Sequence, residues 1–188
     1  MKVLVACEFS GIVRDAFIAR GHDAWSCDLL PTEHEGPHIK GDVLAVLRDG
    51  WDMMIAHPPC TYLCNSGVRW LREREGRWEL MEEAATFFSI LLNADIEHVC
   101  VENPIPHKYA VHAIGGRKYD QIIQPWQFGH GETKATCLWL NNLPPLRPTD
   151  IVDGRHGRVF MESPGPERSK NRSRTYQGIA DAMAEQWV

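Results

Sequence analysis

A chain of 188 residues, 44% hydrophobic and 24% charged, has the composition of an ordinary globular protein and the length of one domain, residues 1–188. Its net charge of -5 argues against a general attraction to polyanions. No apolar run approaches the ~20 residues that span a bilayer, and "MKVLVACEFSG" turns polar too early for a secretory signal, so a cytoplasmic protein without a membrane partner is expected.

In chain order the first apolar run, "KVLVAC", reads as a strand ending at "EFSG". "GIVRDAFIARGH" follows as a helix closed by Gly21, then "DAWSCDLL" as a second strand before the polar loop "PTEHEGPH". "IKGDVLAVLRDG" reads as an edge strand turning into a short helix, and "WDMMIAH" as another strand. From about Gly76, "GRWELMEEAATFFSILLNA" sets Trp78, Met81, Ala85, Phe88 and Leu92 at helical spacing. "EHVCVENP" is a strand stopped by proline. "YDQIIQPW" and "KATCLWLNNLPP" read as an antiparallel strand pair, and "GIADAMAEQW" closes the chain as a helix. This alternation predicts an α/β domain with a largely parallel sheet and an antiparallel C-terminal strand pair.

Six cysteines without a secretory signal are expected to be reduced. Cys60 and Cys64 form a C-x3-C pair, but no second Cys/His pair follows at zinc-binding spacing, so no metal is expected. Cys7, Cys27, Cys100 and Cys137 lie in or beside apolar strands, where free cysteine behaves as a small hydrophobe.

Ligands of a doubly wound sheet gather at the carboxyl ends of its strands. Those ends are "EFSG" at 8–11, "CD" at 27–28, "GD" at 41–42, "HPPC" at 57–60 and "ENP" at 102–104, and all five follow apolar runs. "FSG" is not a G-x-G-x-x-G, so the dinucleotide fingerprint is absent. Asp28 lies 17 residues beyond Gly11, close to where an acidic residue holds ribose hydroxyls, and Asp42 is placed to accept from an adenine amino group. Alone, either aspartate reads as a turn or cap residue. Together, at successive strand ends, they fit a nucleoside-bearing cofactor.

Pro58 and Pro59 fix the backbone and cannot continue a central strand, so they hold Cys60 at the sheet edge. Two readings follow: a tight turn that contains a cysteine, or a nucleophile whose pKa is lowered by a cation or helix N-terminus. Glu102, 42 residues further on, is either a surface or capping carboxylate or an acid beside that thiol. The second combination suits attack on an electron-poor ring, with the acid engaging a ring nitrogen.

The order "FSG", "PPC", "ENP" resembles the DNA cytosine C5-methyltransferases, which carry an F-x-G cofactor loop, a Pro-Cys nucleophile loop and a Glu-Asn-Val motif. The resemblance implies a Rossmann-like S-adenosylmethionine-dependent methyltransferase fold with S-adenosyl-L-methionine as cofactor. It implies that Cys60 attacks C6 of cytosine, that Glu102 engages N3, and that C5 takes the methyl group before losing its proton. Phe9, Ser10, Gly11 and Pro58 would line the cofactor site, with Phe9 against the adenine, Asp28 on the ribose and Asp42 on the amino group. Pro59 and Asn103 would belong to the substrate side. Where the family has a Gln-x-Arg-x-Arg strand, this chain offers Glu132 and Lys134, Lys134 being the better candidate to contact the base. "RSRTYQGIADAMAEQW" resembles the family's final motif, and Arg172 and Arg174 are candidates for substrate contact.

The chain departs from the family at Thr61, where Gln is usual, at His57, where a small residue is usual, and in "FSGIVRDAF", which lacks the Gly pair. Only about 70 residues separate "ENP" from the final helix, too few for a large target-recognition domain. Flipping a base out of a duplex costs a few kcal/mol and needs protein to grip the gap. The segment Arg155–Arg174, with six Lys or Arg against two acidic residues, is either a solvated loop or the phosphate contact, alone or in a homodimer. Otherwise the substrate is already unstacked, as single-stranded DNA or a free cytosine nucleotide. A methyltransferase-like binding or regulatory protein is the alternative from another class. Retention of both Cys60 and Glu102 favours the enzyme, of a compact kind that suits a phage or mobile element.

Overall fold

The structure, a computed structural model, describes residues 1–187. Seven strands form one sheet: β1 (Lys2–Ala6), β2 (Asp23–Asp28), β3 (His38–Lys40), β4 (Met53–Ala56), β5 (His98–Pro104), β6 (Gln121–Ile123) and β7 (Thr136–Asn141). Their order is β3-β2-β1-β4-β5-β7-β6. The first five strands pair in parallel, and β7 inserts antiparallel between β5 and β6. This is the largely parallel sheet with an antiparallel C-terminal pair that the apolar runs predict. The strand order reverses between β1 and β4, which opens a crevice at their carboxyl ends.

The helices are α1 (Ile12–Ala19), α2 (Trp70–Glu73), α3 (Arg77–Leu92), α4 (Lys108–Ala113), α5 (Arg158–Met161), α6 (Arg168–Ser173) and α7 (Gln177–Gln186). β1 is apolar throughout because both of its faces are covered. Val3 and Val5 join one core with Phe17 of α1 and Ile179 and Met183 of α7. Leu4 and Ala6, pointing the other way, join a second core with Met81, Phe88 and Leu91 of α3. Met81, Ala85, Phe88 and Leu92 are buried as their spacing requires. Trp78, expected in the same stripe, is 39% exposed and meets Tyr109 of α4 edge-on at 5.0 Å. It sits in the first turn of α3, where α4 rather than the sheet is the neighbour.

Candidate active site

Ala56 pairs with Val101, so His57, just past the end of β4, stands level with Glu102 of β5. Pro58 is buried and Pro59 exposed, and the chain then turns tightly, with Leu63 N–H and Cys64 N–H donating to the Cys60 carbonyl at 3.1 and 3.0 Å. The loop is fastened to the segment after β5. Asn65 N–H donates to Ile105 O at 2.8 Å, His107 N–H to Leu63 O at 3.1 Å, and His107 Nε2 lies 3.0 Å from Tyr62 O. The Cys60 carbonyl and the residues that follow it are thereby held by backbone bonds.

Glu102 turns into this edge with a side chain only 17% exposed. The His57 ring is 8% exposed, its Nδ1 lies 3.9 Å from Glu102 Oε1, and neither ring nitrogen has a hydrogen-bond partner among the described residues. Lys134 arrives on the lead-in to β7, its N–H donating to Gln124 Oε1 and its ammonium to Arg174 O, both at 3.0 Å. Burial works to raise the Glu102 carboxyl, but His57 and Lys134 outweigh it and hold the group below the usual carboxylate range. Burial lowers the Lys134 ammonium against the pull of Glu102 and Cys60, and the nearby Arg172 charge lowers it further.

The thiol chemistry differs from the expectation of a lowered Cys60. Its hydrogen bond with the Cys64 sulfur, followed by burial, pushes the Cys60 thiol up. Cys64 is lowered to about 5, chiefly by that same bond and despite its own burial, with help from Ser66 Oγ at 3.1 Å and the Gly67 N–H. The contact thus acts on the two sulfurs in opposite directions, favouring charge on Cys64 over Cys60. The C-x3-C spacing was the available signal, because the i, i+4 turn brings the two sulfurs together.

On the β1–β2 side of the crevice, Glu8 is buried and caps α1, accepting from Val13 N–H at 2.8 Å, Arg14 N–H at 3.3 Å and Ser10 Oγ at 3.1 Å. Gly11 has φ +78°, and a Cβ there would stand 2.6 Å from the Arg14 guanidinium. Arg14 is fully buried and donates to Ser26 Oγ, Thr32 Oγ1, His34 O and Glu35 O, which ties the loop after β2 to α1. Sequence reasoning missed both residues. A charged residue among Val13, Ala16 and Phe17 on the buried face of α1 was the signal for Arg14.

Asp28 Oδ1 accepts from Leu30 N–H at 2.9 Å and Asp42 Oδ1 from Leu44 N–H at 3.0 Å, the turn and cap roles read from the sequence. Neither Oδ2 has a protein hydrogen bond among the described residues. Phe9 is 7% exposed, with the Lys170 ammonium 5.2 Å and the Arg174 guanidinium 5.7 Å from its ring. Arg174 grips Glu33 with two bonds of 2.8 and 2.7 Å, and Lys170 adds a third contact at 3.2 Å. Those bonds, led by Arg174, bring the Glu33 carboxyl down to about 2. Arg174 thus stands over the Phe9 loop, whereas Arg172 acts on Lys134. Asn103 is buried, its Nδ2 donating to Pro104 O at 2.6 Å and its Oδ1 without a partner among the described residues.

Cys60, Glu102 and Lys134 thus come together from three segments, while Phe9, Ser10, Gly11, Asp28 and Asp42 ring the neighbouring strand ends. Two carboxylates with an oxygen free to accept, beside a left-handed glycine loop, fit the hydroxyls and amino group of a nucleoside-bearing ligand. Among the described residues no group of three or more His, Cys, Asp or Glu is placed to hold a metal ion.

No family model and no curated protein matches the sequence. In fold the chain is similar to methyltransferases. One is a DNA modification methyltransferase encoded within an E. coli prophage, at 15% identity and a TM-score of 0.47, covering 86% of this chain and 55% of that one. A second is the Entamoeba histolytica methyltransferase EhMeth, at 14% and 0.48, covering 81% and 57%. A third is the Dnmt2 methyltransferase of S. pombe, at 15% and 0.44, covering 85% and 53%. The chain spans about half the length of each of these proteins.

Proposed function

We propose that the chain transfers a methyl group from S-adenosyl-L-methionine to carbon 5 of cytosine in DNA, with Cys60 as the nucleophile. The observation that supports this most directly is the convergence of Cys60, Glu102 and Lys134 beside the strand-order reversal. The cofactor, when bound, supplies an electrophilic methyl group. Asp28 and Asp42 would hold its ribose and amino group, with Phe9, Ser10, Gly11 and Pro58 around them.

Cys60 gives its proton to the Cys64 sulfur and bonds to C6, while Glu102 delivers a proton to N3. Carbon 5 then carries the electron pair that takes the methyl group. Loss of the C5 proton to a base, return of the N3 proton to Glu102 and expulsion of Cys60 as a thiolate restore the ring. Glu102 rests as a carboxylate, so its proton must first reach it, and the His57 imidazole at 3.9 Å is the adjacent group able to carry one. Lys134 stabilises negative charge on Glu102 and on the departing Cys60 sulfur. Pro59 and Asn103 border the base.

Transfer of a radiolabelled methyl group to duplex DNA, single-stranded DNA, RNA and cytosine nucleotides tests the reading. Label is expected in DNA, and Cys60→Ala abolishes it while leaving cofactor affinity unchanged. Glu102→Gln slows it by ~10²–10⁴-fold. Undiminished transfer by the Cys60→Ala protein would refute covalent catalysis at this residue.

A further inference from the structure

The strongest unassigned feature is a cationic, aromatic surface beside the Cys60 loop. Arg69 and Arg74 lie over the Trp70 ring at 4.2 and 4.0 Å. Arg77 lies over Tyr62 at 4.2 Å and donates to Thr61 O at 2.9 Å, which joins this surface to the nucleophile loop. Across from them, Lys108 sits 5.0 Å from the Tyr109 ring centre and Arg72 reaches the Tyr109 hydroxyl at 3.5 Å. Trp78 packs against Tyr109 and keeps 39% of its surface exposed.

None of these five cations makes an ion pair among the described residues, although Glu73, Glu75 and Glu79 are close in sequence. The C-terminal basic segment is the reverse case. There Arg158 is bound to Glu132 at 3.0 Å, and Lys170 and Arg174 are bound to Glu33. A guanidinium stacked on an aromatic ring and free of carboxylates keeps its charge and a defined direction for a phosphate. The Arg72 guanidinium beside its hydroxyl, with Lys108, holds the Tyr109 phenol below its ordinary value, as an uncompensated positive field would.

Resting on the cytosine reading above, we propose that this surface binds single-stranded DNA on one side of the target base. Arg69, Arg72, Arg74 and Lys108 meet the phosphates, and a neighbouring unpaired base stacks on Trp78. The strand leaves the Cys60 loop directly onto α2 and α4, because that loop is hydrogen-bonded to both the Arg77 side chain and the segment before α4. The substrate is accordingly a polynucleotide rather than a free nucleotide, and the short chain grips it from α2 and α4 instead of from a separate domain.

The test measures binding of a fluorescein-labelled single-stranded oligodeoxynucleotide by anisotropy across a salt series, alongside methyl transfer to that strand and to deoxycytidine monophosphate. The triple variant Arg69→Gln, Arg72→Gln, Arg74→Gln is expected to weaken binding at least tenfold. It should reduce the slope of log K against log salt by about 2, as three lost single-strand phosphate contacts require. Trp78→Ala weakens binding with the slope intact, and Arg158→Gln changes neither. All of these side chains are exposed, so the fold survives their replacement. Unchanged affinity and slope in the triple variant, or a loss confined to Arg158→Gln, overturns the surface. Binding is read without chemistry, so the two proposals fail separately. A strand held through these arginines with no label transferred to any acceptor keeps the surface and sinks the cytosine reaction. Label transferred to the strand by a triple variant of undiminished affinity does the opposite.

Discussion

At the scale of single residues, the Cys60–Cys64 pair governs when a Cys60 thiolate can form. The hydrogen bond with Cys64, then burial, then the negative charge on Cys64 push the Cys60 thiol up, so Cys60 keeps its proton into the alkaline range. Cys64, with its pKa lowered to about 5, is charged at neutral pH. In the unchanged protein, iodoacetamide should therefore label Cys64 at neutral pH and Cys60 only in base, as peptide mass spectrometry would show. Cys64→Ala removes the neighbouring charge, so the midpoint for labelling Cys60 moves to lower pH. A midpoint that stays where it was would mean that burial alone sets it. "PPC" and "ENP" were legible because their residue types announce a rigid turn, a thiol and an acid. The direction of the Cys60 shift was not, since it depends on which neighbour the turn supplies. Glu8 and Arg14 were hidden for a related reason: their partners are backbone groups that become neighbours only after folding.

Among the elements, the strands were the most legible, because a strand covered on both faces must be apolar throughout. The long helix α3 and the closing α7 showed their spacing for the same reason. The short helices α2, α4, α5 and α6 span between four and six residues, too few for a helical period to repeat, and none was expected. One close contact sets the N-terminal end of α7. Gly178 N–H donates to His130 Nε2 at 3.1 Å, and a Cβ on Gly178 would overlap the Phe128 carbonyl. Gly178→Ala gains helix propensity but forces this contact apart. It should destabilise the protein by about 1–3 kcal/mol, seen as a lower urea midpoint at constant slope. A midpoint that rises would show that the helix end can move freely.

For the whole molecule, net charge was the least informative quantity. The value of -5 averages over an acidic surface and a face where cations stand without carboxylates. The excess at residues 155–174 drew attention in the sequence, yet Glu132 and Glu33 engage Arg158, Lys170 and Arg174 from far along the chain. The Glu33–Arg174 bond joins positions 141 residues apart and closes the C-terminal segment over the Phe9 loop. Because folding lowers the Glu33 pKa to about 2, its contribution is complete above the unfolded carboxylate value and fades as pH falls through about 2. The closure should thus persist at neutral and mildly acidic pH. Glu33→Gln is expected to speed tryptic cleavage within residues 155–174 severalfold at neutral pH while leaving the thermal midpoint nearly unchanged. Equal cleavage rates would place the stability of that segment elsewhere.

The position of β7 also bears on how the molecule is made. During synthesis β6 emerges before β7, yet it has no place in the sheet until β7 has docked on β5. A nascent chain that stops short of residue 136 therefore exposes the Val99–Val101 edge of β5, an apolar strand with open backbone groups and nothing to cover it. The same late strand carries in Lys134, so the docking of β7 also brings the cation to Glu102. An incompletely made chain is therefore sticky and lacks the cation beside Glu102.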